Sequence, residues 1–171
     1  MQTTTHQLAE IISGGQTGAD RAALDAAISL GIPHGGWCPC GRRAEDGPIP
    51  EIYQLRETES FSYLIRTERN VIDSDATVIF TMTGLQGGSA RTADFARQHR
   101  RPFLHIELEG AHPALIAAVL RDFIEKHRIR RLNIAGSRES TEPGIYQRVR
   151  EVVEQGATDL RDVGCGAEIH Q

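Results

Sequence analysis

Three glycine-rich turns hold the residues best suited to chemistry in this chain. The first is Gly14-Gly15-Gln16-Thr17-Gly18-Ala19-Asp20-Arg21. Glycines let backbone amides approach an anion closely, and a helix N-terminus adds a favourable partial charge. Gln16 and Thr17 can donate further hydrogen bonds. The turn is neither G-x-G-x-x-G nor a Walker A loop, because no Lys-Ser/Thr pair follows. The plainer alternative is a tight strand-to-helix turn with Asp20 as an acid in the first helical turn.

The second turn is Gly84-Leu85-Gln86-Gly87-Gly88-Ser89-Ala90-Arg91-Thr92. It follows the strongest apolar run and opens a helical stretch, the context an anion site needs. Ser89 can bond a phosphate or simply cap the helix. The third turn is Gly136-Ser137-Arg138-Glu139-Ser140. Arg138 at a strand end suits an anion clamp. Glu139 can orient that arginine or act as a base; the alternative is a surface ion pair of little weight.

Between the first two turns lies Gly41-Arg42-Arg43-Ala44-Glu45-Asp46-Gly47, framed by prolines. Two arginines meet two acids there, either as a lid over a ligand or as a self-satisfied charged loop. Arg66, Arg69 and Asn70 either point at the same site or are solvated. Cys38-Pro39-Cys40 is not C-x-x-C, and the seven histidines lack metal-ligand spacing, which argues against zinc and thioredoxin-like chemistry. No nucleophile elbow and no Ser/His/Asp set is present.

The elements that must position these turns follow from periodicity. Ile11-Ile12 ends a strand, and residues 19–31 are an alanine-rich helix with Gly31 as its C-cap and Pro33 blocking continuation. Residues 34–37 read as a short strand. The stretch from 38 to about 55 reads as a long ordered loop. Residues 60–73 read as helix, 76–82 as a buried strand and 89–100 as helix. Residues 103–108 read as strand, 113–127 as an amphipathic helix and 132–135 as strand. A last helix covers 143–155, with Pro143 in its first turn. This alternation predicts a Rossmann-like α/β domain: a three-layer α/β/α sandwich around a mostly parallel sheet of about five strands. Its ligand belongs beyond the carboxyl ends of the strands, where all three turns fall. The domain spans 10–157, with 1–9 and 158–171 as flexible or peripheral termini.

Composition narrows the partners. The 171-residue chain carries a formal charge of −4, which argues against a nucleic acid or membrane surface held by bulk charge. Lys126 is the only lysine, so arginine, the better bidentate clamp, supplies nearly all positive charge. Three cysteines and a start lacking a signal-peptide core point to a reducing, cytoplasmic setting. No apolar run approaches the roughly 20 residues of a membrane span.

The segments IISGGQTGADRAALDAAISLGIPHGGWCPCGRRAEDGPIP, RTERNVIDSDATVIF, TGLQGGSARTADFA and LNIAGSRES…PGIY resemble the molybdenum-cofactor carrier family, in order and over roughly residues 11–155. That family in turn resembles the wider lysine-decarboxylase-like, nucleotide-binding group. The resemblance implies a homo-oligomer, a tetramer or dimer, that binds, protects and delivers molybdenum cofactor to molybdoenzymes. This ligand is a phosphorylated pterin whose dithiolene holds the metal. The cofactor-binding set is Gly14, Gly15, Gln16, Thr17, Gly18, Asp20, Arg21, Gly87, Gly88, Ser89, Thr92, Gly136, Arg138, Glu139 and Ser140, with no catalytic residue and no metal ligand assigned. Two departures stand out. Cys40 occupies a place where a basic residue is expected. The second turn also lacks the Pro-Gly-Gly-x-Gly-Thr and catalytic Glu of the related phosphoribohydrolases, with Ala90 and Asp94 in that region. A carrier is therefore the expected function. The alternatives are a nucleotide-binding module without chemistry, or a phosphoribohydrolase-like enzyme using Glu139 or Asp94.

Overall fold

A computed structural model describes residues 7–160. The central sheet has five parallel strands. These are β1 (Glu10–Ile12), β2 (His34–Gly35), β7 (Ala76–Thr81), β8 (Phe103–Glu107) and β9 (Arg131–Gly136). Four two-residue strands make two small satellite sheets: β3 (Trp37–Cys38) with β6 (Arg56–Glu57), and β4 (Arg43–Ala44) with β5 (Gly47–Pro48). The helices are α1 (Ala19–Leu30), α2 (Tyr63–Ile72), α3 (Gly87–Gln98), α4 (Pro113–Lys126) and α5 (Ile145–Ala157). The expected parallel α/β/α sandwich is the observed fold.

Strand order in the central sheet is β2-β1-β9-β7-β8. The innermost strands read as continuous apolar runs because helices cover both faces. Every residue of β7 is buried. Helices α1, α4 and α5 share one layer. There Ala22, Ala23, Ala26 and Ala27 of α1 are fully buried, small enough to let α5 approach closely. On the other layer α2 meets α3 through Val71, Phe95 and Ala96. Among the described residues no helix is long and apolar enough to cross a membrane.

Four local readings change. Residues 34–37 are not one strand: the chain turns at Gly36, leaving β2 in the central sheet and β3 in a satellite. The stretch after Cys38 is not featureless, since it carries a 3-10 turn, Cys40–Arg42, and the β4–β5 pair. Helix α3 begins at Gly87, where Ser89 Oγ accepts from the Gln86 amide and donates to the Gln86 carbonyl. Helix α5 begins at Ile145, beyond Pro143, because the Glu139 carboxylate accepts from the Gly144 and Tyr146 amides at its start.

The core extends slightly past residues 10–157. Leu8 and Leu160 are buried, and the Leu8 amide donates to the Leu160 carbonyl at 3.0 Å. The two ends of the described chain thus meet beside β1. Residues 1–6 and 161–171 of the expected termini lie outside the described residues.

Candidate anion-binding site

The three glycine turns converge on a cavity of about 390 Å³ at the carboxyl ends of β7 and β9. Eight of the expected site residues line it: Gln16, Asp20, Gly87, Gly88, Ser89, Thr92, Gly136 and Arg138. Gly87 and Gly88 are the first two residues of α3, whose amides have no partner within the helix. The Ser89 hydroxyl is engaged in the cap just described, and Thr92 Oγ1 donates back to the Gly88 carbonyl at 2.9 Å.

The floor of the cavity is polar and nearly sealed from solvent. Gln16 is 4% exposed. Its Oε1 accepts from the Thr17 and Glu45 amides at 3.0 and 2.9 Å, while its Nε2 is buried without a partner. Arg66 projects from α2 into the same space and is 9% exposed. Its Nη1 meets Asp20 Oδ2 at 3.4 Å, and its Nε is also buried without a partner. Burial raises the Asp20 carboxyl above its ordinary value, and the Arg66 charge offsets this only in part. Orphaned buried donors are costly, and both of these ask for an acceptor.

Two glycines make the floor possible. A Cβ on Gly14 would lie 2.1 Å from Arg66 Nη1, so glycine is what lets the guanidinium settle against the first turn. Gly18 has φ +80°, and a Cβ there would lie 2.4 Å from the Ser137 carbonyl oxygen. That close approach docks the first turn onto the third, where the Ala19 amide donates to the same oxygen at 3.2 Å.

Three guanidiniums surround the Tyr63 ring. Arg138, Arg43 and Arg66 lie 4.8, 5.0 and 5.8 Å from its centroid. Glu142 lines the cavity as well, accepting from the Met82 amide at 2.7 Å and the Thr83 amide at 3.3 Å. Burial would raise its carboxyl, but those amides and the Ser137 and Thr83 hydroxyls hold it below the usual range.

The other expected site residues do not line the cavity. Gly14 backs Arg66, and Gly15 accepts from Arg21 Nε at 3.0 Å. Arg21 reaches Asp46 with both terminal nitrogens, at 2.8 and 2.9 Å. Thr17, Gly18, Arg21 and Glu139 border a separate depression with Tyr53 and Tyr146. Thr17 and Ser140 donate their hydroxyls to the Glu45 carboxylate. The charged loop is therefore tied down rather than open. Arg42 holds it from within, donating to the carbonyls of Ile49, Pro50, Tyr53 and Leu55.

Arg66, Tyr63 and Glu142 are among the cavity residues that the glycine turns did not point to. Of the three polar residues considered on α2, only Arg66 enters the cavity. Arg69 pairs with Glu59 and packs on Trp37, and Asn70 bonds both backbone groups of Trp37. Glu142 carried no motif signal. Among the described residues, no cluster of His, Cys, Asp and Glu is placed to hold a metal ion.

A sequence model of the circularly permutated YpsA SLOG family matches residues 11–157. The chain belongs to this family. The permutation is visible in the sheet: reading from β7 through β8 and β9, then across the chain ends to β1 and β2, the order becomes 2-1-3-4-5. That is a common doubly wound order, with its switch point between the first and third strands. Those strands are β7 and β9, and the SLOG-family cavity sits at their carboxyl ends. The meeting of Leu8 with Leu160 is what such a permutation requires.

A crystal structure from Syntrophus aciditrophicus SB, named "Putative molybdenum carrier protein", is 49% identical to the chain. The match covers 87% of this chain and 94% of that one, with a TM-score of 0.85. No curated protein matches the chain.

Proposed function

We propose that this protein binds and carries molybdenum cofactor, holding the phosphate of the pterin on the cavity floor. The carrying observation is the convergence of Gln16, Arg66 and Arg138 with the Gly87–Gly88 start of α3 on one cavity. A phosphate there would be met by the guanidiniums and by the Gly87 and Gly88 amides. The cavity volume lies within the usual range for small-molecule sites. Molybdenum stays on the dithiolene of its own pterin, so the reading asks for no metal ligand from the chain.

The carboxylates that a phosphoribohydrolase would use are engaged elsewhere. Glu139 caps α5, and Asp94 pairs with Arg91 and Arg97 on the exposed side of α3. This favours a carrier over an enzyme. Self-association, delivery to molybdoenzymes and a cytoplasmic location belong to the same proposal. The exposed Leu115 and Val119 of α4, 70% and 49% accessible, offer an apolar face for a second copy.

The test is binding of purified protein to molybdenum cofactor, with a panel of nucleoside monophosphates and product analysis alongside. Saturable binding that slows cofactor decay, with no base released from the nucleotides, is expected. Base release, or nucleotide binding without cofactor protection, would overturn the carrier reading. Light-scattering mass in solution checks self-association, and a monomer at micromolar concentration would remove it.

A further inference from the structure

The central sheet blunts one edge and leaves the other open. At the β2 edge the strand is two residues long and the chain turns away at Gly36. So short a strand offers little for another chain to pair with. At the opposite edge β8 runs five residues in unbroken register with β7. Those five residues hold no proline, lysine or bulge, the usual guards of an edge. Among the described residues β7 is the only strand that pairs with β8. The Thr77 amide donates to the Pro102 carbonyl, and the Leu108 amide to the Thr81 carbonyl. By the alternation of a parallel ladder, Leu104 and Ile106 turn their backbone groups toward β7. Phe103, His105 and Glu107 turn theirs outward.

The segment around β8 is its own complement. Arg97, Arg100 and Arg101 precede the strand, and Glu107 and Glu109 close it. Laid antiparallel on a second copy about a two-fold axis at His105, Phe103 meets Glu107 of that copy. Arg97 lies 5.1 Å from the Phe103 ring centroid, beside the place this carboxylate takes. The two-fold repeats the match at the other end of the strand. In this register each outward residue exchanges two hydrogen bonds with its opposite number, whereas a shifted register leaves outward groups unpaired. The His105 ring shares a hydrogen bond with Thr81 Oγ1 at 2.8 Å, which holds it against β7.

Helix α4 adds apolar area at the same edge. In its layer α1 stands over β1 and β2, α5 follows, and α4 is outermost on the β8 side. Arg121 reaches the Gln155 carbonyl and so marks the α5 side of the helix. Val119 and Leu115 lie about 160° and about 120° round the helix from it. These exposed side chains therefore overhang the open edge.

We propose that β8 is a dimer interface. Two copies of this chain join edge to edge, antiparallel about His105, and merge their five-stranded sheets into one. The α4 helices pack across one face of the seam, and Arg97 meets Glu107 on the other. The interface gives self-association a definite surface and does not depend on what the cavity holds.

Sedimentation equilibrium and hydrogen exchange on the full chain test it. The wild type is expected to be a dimer at micromolar concentration. The Phe103, His105 and Glu107 amides should be protected at high protein concentration and released on dilution. His105→Pro removes an outward N–H, the one proline placement an edge strand tolerates. By symmetry it costs two hydrogen bonds, so the dimer Kd should rise at least about tenfold. Arg97→Glu and Glu107→Arg should each weaken the dimer, because like charges then face each other. The double variant should recover it. If His105→Pro fails to fold, the charge swap and the wild-type amides still decide. A dimer whose edge amides exchange alike at every concentration overturns the β8 seam, as does a monomer. Cofactor binding is measured on the same samples. A monomer that binds cofactor removes the interface alone, and a dimer with a protected edge that binds none removes the carrier reading alone.

Discussion

Asp20 and Arg66 face one another at 3.4 Å on the cavity floor, both almost wholly buried, at 3% and 9% exposure. The pair is incomplete. One guanidinium nitrogen reaches one carboxylate oxygen, and the Arg66 Nε is left over. A buried pair of this kind is weak evidence for stability, because desolvation of both ions opposes their attraction. Its worth lies in holding a guanidinium where a ligand can finish satisfying it.

Arg66→Ala should abolish phosphate binding and leave Asp20 buried without its ion-pair partner, with the Gln16 amide still donating to it. The expected destabilisation is about 3 kcal/mol at neutral pH. It should shrink as the pH falls, since burial has already raised the Asp20 carboxyl and protonation removes the uncompensated charge. Denaturant melts at two pH values check this; a penalty independent of pH would contradict the assigned pairing.

Gly14→Ala tests the position of the guanidinium. The new Cβ would fall 2.1 Å from Arg66 Nη1, the nitrogen that meets Asp20, and must push it aside. A fall in phosphate affinity of about tenfold or more is expected, with a loss of stability no larger than that of Arg66→Ala. Unchanged affinity would mean that Arg66 is not the clamp.

The Glu45 latch should depend on pH. Burial alone would raise this carboxyl, but hydrogen bonds from Ser140 and Thr17 outweigh it and hold the group below its ordinary value near 4.5. A folded value below the unfolded one gives stabilisation that is complete above the unfolded value. It is lost as pH falls through the folded value. Protection of the 43–48 amides against hydrogen exchange, corrected for the intrinsic pH dependence of exchange, should therefore stay high at neutral pH and fall once the pH drops below the ordinary carboxylate value. In Glu45→Gln the low protection should already be present at pH 7.

Arg42→Ala should loosen the whole loop from 43 to 55. The guanidinium donates to four carbonyls that have been gathered around it. A loss of about 2–4 kcal/mol is expected, with Ile49 and Tyr53 released from their small cluster beside Leu24. Near-wild-type stability would show that the satellite cluster holds the loop without Arg42.

The sequence by itself determined the layers, the sheet and the end of the sheet where a ligand belongs. Those features are local. Apolar runs such as 76–81, alanine-rich α1 and glycine turns after strand ends are written within a few consecutive residues, and parallel connection rules do the rest. Which polar side chains meet was decided only by the tertiary structure. Arg21, Glu139 and Ser140 stand in the turns yet take Asp46, the α5 amides and Glu45 as partners. Arg66 comes from a helix some fifty residues beyond Gln16 and still completes the floor. The physical reason is that long charged side chains choose partners by distance and desolvation after the elements have packed. Spacing along the chain carries no record of that choice.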